Sequence, residues 1–231
     1  MSNYFLNNFF LEVKKIFFAL LDYVWPRFCL GCGREGSLCC QNCVNQLLAV
    51  NIGPKPWPEE NFHFTACYVC LDYHQRLVQK LIKHFKYKYL ESLASILAMA
   101  LFARLQKINL PSNTIITNIP LHPRKARQRG FDQTQILAMA LAKKTNLVYW
   151  PLLSRKKYTK TQAQLNKKQR QTNVADAFVI NKKIPNLANI SKNNIILIDD
   201  VATTGATLDQ AAKILKQVGF KQIICLVLAK N

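Results

Sequence analysis

Between Ile195 and Thr207 the chain reads Ile-Ile-Leu-Ile-Asp-Asp-Val-Ala-Thr-Thr-Gly-Ala-Thr. An all-apolar run delivers two adjacent acids, Asp199 and Asp200, to the strand end where α/β sheets bind ligands. Neighbouring carboxylates repel each other unless hydroxyls or a cation satisfy them, so the pair reads as a binding element. The turn that follows holds Thr203, Thr204, Gly205, Ala206 and Thr207. It leads into a stretch with Leu208, Ala212, Leu215 and Val218 in helical register, closed by Gly219. Main-chain N–H groups at a helix start, the helix dipole and threonine hydroxyls together make a phosphate cradle. Acids at one end and a cradle at the other call for a phosphate joined to hydroxyls or Mg²⁺, and a phosphorylated ribose meets both demands. No GxxxxGK[ST] stretch is present, and no GxGxxG follows an apolar strand, which removes P-loop and dinucleotide folds.

A second constellation lies near the other end. Cys29-Leu-Gly-Cys32 and Cys40-Gln-Asn-Cys43 form two CxxC knuckles separated by seven residues. Each can aim two thiolates at one ion, and the four match tetrahedral zinc. Gly31 and Gly33 permit the tight turn of the first knuckle. Cys39 is read as a bystander, because placing it in the set instead of Cys40 breaks the second CxxC. Buried or free thiols in a loop are the competing account of the segment. With no export signal, the eight cysteines are expected as thiols or ligands rather than disulfides. Cys67 and Cys70 sit in a β-rich run, where residues three apart point to opposite faces, and are assigned to the core together with Cys225.

Charge adds a partner class. Lys and Arg outnumber Asp and Glu by 32 to 12, a formal net charge of +20. A field of that sign draws polyanions such as nucleic acid, anionic lipid or polyphosphate metabolites. Between Glu91 and Asp199 the acids are Asp132 and Asp176 alone. Residues 3–24 repeat apolar side chains at helical spacing, but the unbroken apolar run Ile16–Leu21 falls far short of the ~20 residues of a span. An amphipathic helix packed on the rest of a cytoplasmic protein is expected there, with a membrane-surface helix as the alternative.

The positioning elements follow from periodicity. Pro54, Pro56 and Pro58 mark a linker over 51–61, between an N-terminal helix and knuckle module (1–50) and a larger domain (62–231). In that domain a strand near 62–71 precedes helical stretches carrying Leu77, Leu81 and Phe85, then Leu90 to Leu105. A buried strand over 114–119, a basic loop over 121–130 and a helix around Ile136–Leu141 come next. Strands are expected at 147–150, 177–180, 195–198 and 223–228, with a long basic segment at 154–173 and a polar connector at 181–194. Strands alternating with helices make an α/β fold, a parallel sheet flanked by helices.

At the acid pair and the threonine turn, the chain resembles a type I phosphoribosyltransferase, the fold that binds phosphoribosyl pyrophosphate (PRPP). It is more narrowly similar to the ComF family of competence-associated proteins. The likeness runs through both cysteine knuckles, a helix carrying Lys86, Pro120-Leu-His-Pro and Arg127-Gln-Arg-Gly-Phe-Asp-Gln133. It continues through Arg155, Thr159, Gln162, Leu165, Arg170, Asn173 and Ala177-Phe178 to the stretch IDDVATTGAT. The chain departs from the usual pattern at Asn118, Asp132, Lys160-Thr161 and Ala202, where a small apolar residue, Asn, a proline-containing pair and Thr or Val-Thr patterns are usual.

The resemblance implies that Asp199 and Asp200 hold the ribose hydroxyls, directly or through Mg²⁺-bound water. Thr203 to Thr207 would hold the 5′-phosphate. Arg155 and Arg170, in a basic cover over 155–173, would face the departing pyrophosphate. A structural zinc on Cys29, Cys32, Cys40 and Cys43 completes the expected cofactors. Two functions are compatible with this. One is a protein of DNA uptake that binds PRPP and single-stranded DNA, with a competence-machinery protein as a further partner. The other is an active phosphoribosyltransferase of nucleotide metabolism with a small-molecule acceptor. For single-stranded DNA the residues themselves offer Lys80, Lys83, Lys86 and Lys88 interleaved with Phe85, Tyr87 and Tyr89. A glutamine amidotransferase is not expected, since no glutaminase domain fits and the sequence opens Met1-Ser2 rather than with a nucleophilic Cys.

Overall fold

The computed structural model describes residues 26–49, 62–87, 91–156 and 177–231. The expected N-terminal helix, the 51–61 linker and the segment 157–176 with Arg170 lie outside the described residues. The chain divides into two compact units, Met1–Asn45 and Gln46–Asn231. In the first, an antiparallel bridge between Phe28 and Glu35 folds the first knuckle back on itself. The second knuckle enters helix α1 (Gln41–Ala49).

The larger unit is built on a four-stranded, all-parallel sheet. In chain order its elements begin with β1 (Ala66–Asp72), α2 (Arg76–Tyr87), α3 (Glu91–Leu105), β2 (Thr114–Asn118), α4 (Pro123–Arg129) and α5 (Gln133–Thr145). They continue with β3 (Leu153–Arg155), β4 (Phe178–Ile180), α6 (Leu187–Ile190), β5 (Asn194–Ala202), α7 (Ala206–Gln217) and β6 (Ile223–Lys230). The sheet order is β1-β6-β5-β2, and β3 pairs antiparallel with β4 in a separate ribbon. The two central strands explain their own composition. Ile195–Ile198 and Ile223–Ala229 are buried throughout, as a parallel sheet covered on both faces requires.

Side-chain alternation then sorts the core. Ile195, Leu197, Ile223, Cys225, Val227 and Cys67 join Leu208, Ala211, Ala212 and Leu215 of α7 and Phe178 of β4 in one cluster. Helices α3 and α5 pack on each other; α3 lies against β1 and β6, and α5 against β2 and β5. Cys67 and Cys225 are register partners on neighbouring strands, both fully buried, and Cys70 is buried as well. All three are core residues, as expected.

Several segments differ from the sequence reading. Residues 121–130 are not a loop, because Pro123–Arg129 forms a helix. His122 caps its start by accepting from the Arg124 N–H at 3.1 Å, and Gly130 closes it at φ 82°. A proline just inside the start and a glycine just past the end favour that helix. The 147–150 segment makes one parallel bridge, Tyr149 to Ile116, instead of a full strand. Strand β5 runs on to Ala202, so both acids lie within it rather than beyond it.

Candidate functional site

A cleft of about 170 Å³ opens at the C-terminal end of β5. Asp199 and Asp200 form one wall, and Thr203, Gly205, Ala206 and Thr207 line the turn beside them. Gly205 is the N-cap of α7 at φ 79°, a left-handed conformation in which a side chain would be strained. The first N–H groups of a helix have no partner inside it, so this turn presents donors toward the cleft. Thr204 is not part of the lining; its hydroxyl accepts from the Ala206 N–H at 3.4 Å and shapes the turn instead.

Cations share the lining. Lys86 of α2, Lys125 and Arg129 of α4, and Arg155 at the end of β3 all line the cleft. Helical spacing places Lys125 and Arg129, four residues apart, on one face, while Arg124 and Arg127 are exposed. Burial lowers the pKa of Lys125, and the like charges of Arg155 and Arg129 add to the effect. Burial also lowers Arg155, whose guanidinium stacks over the Phe178 ring 5.2 Å from its centroid. Cations crowded at such a cost form a site that an anion relieves.

The acids sit among specific donors. Lys86 Nζ lies 3.0 Å from Asp200 Oδ2, and Gln133 Nε2 donates to the same oxygen at 2.9 Å. Arg129 in turn donates to Gln133 Oε1 at 2.9 Å and stacks over Tyr87 at 5.2 Å. At Asp199, burial and then the neighbouring Asp200 charge push the carboxyl from its ordinary 3.8 up to about 8.

A buried polar cluster supports the floor. Asp132 caps α5, accepting from the N–H groups of Thr134 and Gln135, and its other oxygen takes the Leu121 N–H at 2.8 Å. Leu121 lines the cleft, so one carboxylate ties the cleft floor to α5. An Asn there would offer one acceptor oxygen rather than two, which gives the departure at Asp132 a structural reason. Asn118, another of the unusual residues, donates to the Thr134 hydroxyl at 3.2 Å and accepts from the Tyr149 hydroxyl at 2.7 Å.

Sequence reasoning placed Asp199, Asp200, Arg155 and the 203–207 turn as candidates, and the fold brings them to one cleft. It did not place Lys86, Gln133 or Thr134 there, and it left Arg124, Lys125, Arg127 and Arg129 of 121–130 open between a pyrophosphate-side loop and a polyanion contact; of these four, Lys125 and Arg129 line the cleft. The available signal was the i, i+4 spacing of Lys125 and Arg129, hidden by treating 121–130 as a loop.

In the smaller unit the Sγ atoms of Cys29, Cys32, Cys40 and Cys43 all lie within 4.8 Å of one another. Cys32 and Cys40 Sγ are 3.6 Å apart, close to the spacing that ~2.3 Å bonds to one tetrahedral zinc impose. Burial opposes ionisation of Cys29, yet the N–H groups of Cys32, Cys40 and Gly31 outweigh it and bring the thiol down to about 6. Burial and the thiols around it push Cys43 up to about 12. Such a set fits a divalent ion, which relieves the repulsion between thiolates. Cys39 is buried but outside the cluster, so Cys40 is the third member.

Residues 135–231 match the phosphoribosyl transferase domain family. Competence protein F of Haemophilus influenzae is 28% identical over 208 residues, covering 85% of this chain and 81% of its own length. The chain is thus similar to competence protein F over most of its length. DNA utilization protein YhgH of Salmonella typhi is 26% identical over 86% of this chain, and that of Escherichia coli K12 is 28% identical over 63%. A solved glutamine PRPP amidotransferase from B. subtilis, complexed with ADP and GMP, covers 59% of this chain at 14% identity and a TM-score of 0.34. This chain spans 25% of that structure's length. Among the described residues no helix is long and apolar enough to cross a membrane.

The elevated Asp199 fixes a direction for stability. Below pH 3.8 folded and unfolded chains both hold this proton; between 3.8 and about 8 the folded chain keeps a proton that the unfolded one has lost. Stability attributable to this group therefore falls as pH rises through that window. Asp199→Asn is expected to raise the melting temperature at pH 8 and to leave it nearly unchanged at pH 4, measured by thermal denaturation at both values.

Proposed function

We propose that this protein serves DNA uptake or utilisation in the cytoplasm, with a PRPP-type ligand in the cleft and single-stranded DNA on a basic surface. The observation that carries the first part is the shape of the charge in one cleft. Acids, a donor-rich turn and four cations line it together. A ribose phosphate bearing a pyrophosphate has hydroxyls for the acids, a 5′-phosphate for the turn of Thr203 to Thr207, and polyanionic charge for Lys125, Arg129 and Arg155. Mg²⁺, when bound with such a ligand, would screen the acids from the phosphates. Arg170 is proposed to join the cations from the 155–173 segment. The names of the relatives, competence protein F and DNA utilization protein YhgH, support the cellular role.

For DNA the support is the +20 charge and the outward face of α2. Lys80 and Lys83 are exposed there, and Tyr87 is 67% exposed at the helix end. Aromatic and basic side chains together hold a single strand by stacking and phosphate contact. A second reading, transfer of the phosphoribosyl group to a small acceptor, is favoured by one observation. Lys125, Arg129 and Arg155 converge where a departing pyrophosphate would need stabilising. Zinc on Cys29, Cys32, Cys40 and Cys43 is proposed as structural, since a segment this short has little core of its own.

Calorimetry with PRPP and Mg²⁺ tests the cleft: saturable binding is expected, weakened about 10- to 100-fold in Lys125→Ala. Absence of any binding by the parent protein removes both the ligand and the transferase readings. Single-stranded DNA affinity is expected to fall steeply between about 50 and 200 mM salt through counterion release, and a flat salt response would exclude the DNA surface. Metal analysis of purified protein is expected to give one zinc per chain, lost in Cys29→Ser together with thermal stability.

A further inference from the structure

We infer that His63 is a positioning residue for the phosphate turn: it holds Asp209 of α7 and screens that charge from an anion bound at the start of the helix. The inference rests on the reading of the cleft as a phosphate-ligand site, and it concerns a pair outside the cleft lining. It begins with a conflict along α7, whose first turn carries Asp209. An acid there favours the helix through the macrodipole, and it opposes a second anion at the same end. Asp209 also borders the turn closely. Its N–H donates to the Gly205 carbonyl at 2.9 Å, so the N–H groups ahead of it are those without an i−4 partner in the helix. Three residues at 1.5 Å each put Asp209 roughly 5 Å along the axis from Ala206. That is inside the ~8 Å over which charges are felt at physiological ionic strength. Its side chain is 18% exposed, so water screens it little.

His63 meets that charge with two donors. Its main-chain N–H reaches Asp209 Oδ1 at 2.7 Å, and its Nδ1 reaches the same oxygen at 2.8 Å. A carboxylate oxygen only accepts, so Nδ1 carries the proton. Hydrogen bonds to an ionised acceptor are strong, and two on one oxygen offset part of the field it projects along α7. The imidazole comes from 146 positions away in the chain, and its neighbours hold it there. The rings of Phe62 and Phe64 lie 4.9 Å apart and pack on the cluster that includes Leu208 and Leu215 of α7. The Thr65 N–H donates to the Ile223 carbonyl at 2.8 Å, which anchors the same segment to the sheet. The two donors are therefore in place before any ligand arrives, and donors fixed in advance need no reorganisation when the anion binds.

Calorimetry on the full chain, with PRPP and Mg²⁺ and separately with inorganic phosphate, tests the screening. His63→Ala leaves the Asp209 charge exposed to the turn and is expected to weaken both ligands about 3- to 10-fold. Asp209→Asn keeps an acceptor oxygen for His63 but drops the charge, and is expected to bind both ligands at least as tightly as the parent. The double variant separates screening from simple support of the helix. His63→Ala combined with Asp209→Asn is expected to return to parent affinity; a double variant as weak as His63→Ala overturns the inference. Unchanged affinity in His63→Ala overturns it as well, and so does weaker binding by Asp209→Asn. If His63→Ala does not fold, Asp209→Asn decides by the same criterion. A parent that binds phosphate with this pattern but not PRPP removes the phosphoribosyl reading and leaves the screening standing. A parent that binds neither removes both.

Discussion

The carboxylate of Asp200, held between an ammonium and an amide at the end of a central strand, is the constraint on which the cleft depends. A charge this deeply buried is tolerated when it is paired and its remaining lone pairs are occupied. Lys86, Gln133 and the Val201 N–H meet that requirement. Because the three come from different parts of the chain, satisfying one anion also sets where α2 and α5 stand relative to β5. The cleft is thus shaped by the solution to a desolvation problem.

Around that anchor the charges are arranged against their own stability. Lys125, Arg129 and Arg155 repel one another across a small space, and Asp199 is raised far above a normal carboxyl by burial and by Asp200. Structure alone gives no reason to gather such groups. A polyanionic ligand with hydroxyls at one end relieves every one of these conflicts at once, which is the physical content of the phosphoribosyl reading. The polar cluster of Asp132, Thr134, Asn118 and Tyr149 keeps the floor in place beneath them.

The cysteine unit obeys a related logic. Four thiols brought within 4.8 Å cannot all ionise without a cation, and the opposite shifts of Cys29 and Cys43 express that conflict. In both units a cluster of like groups marks the place where something of opposite charge belongs.

Much of this was legible in the residues. The Ile195–Thr207 stretch declared a strand, an acid pair and a phosphate turn, because apolar runs, adjacent carboxylates and Thr/Gly-rich helix starts are local patterns with local causes. The two CxxC knuckles declared their ligand set by spacing, and only the distances excluded Cys39. What the chain could not announce was which cations from distant segments reach the acids. Lys86 and Gln133 lie more than sixty residues before Asp200, and their meeting with it depends on the parallel order β1-β6-β5-β2 and on helices packed over it. The helix at 123–129 was spelled by Pro123 and Gly130, yet its cleft-facing side emerged only once it was folded against the sheet. Local chemistry was decided by sequence, since it depends on neighbours along the chain. Which neighbours each acid meets was decided by tertiary structure, since a strand's two faces acquire different meanings only when different elements cover them.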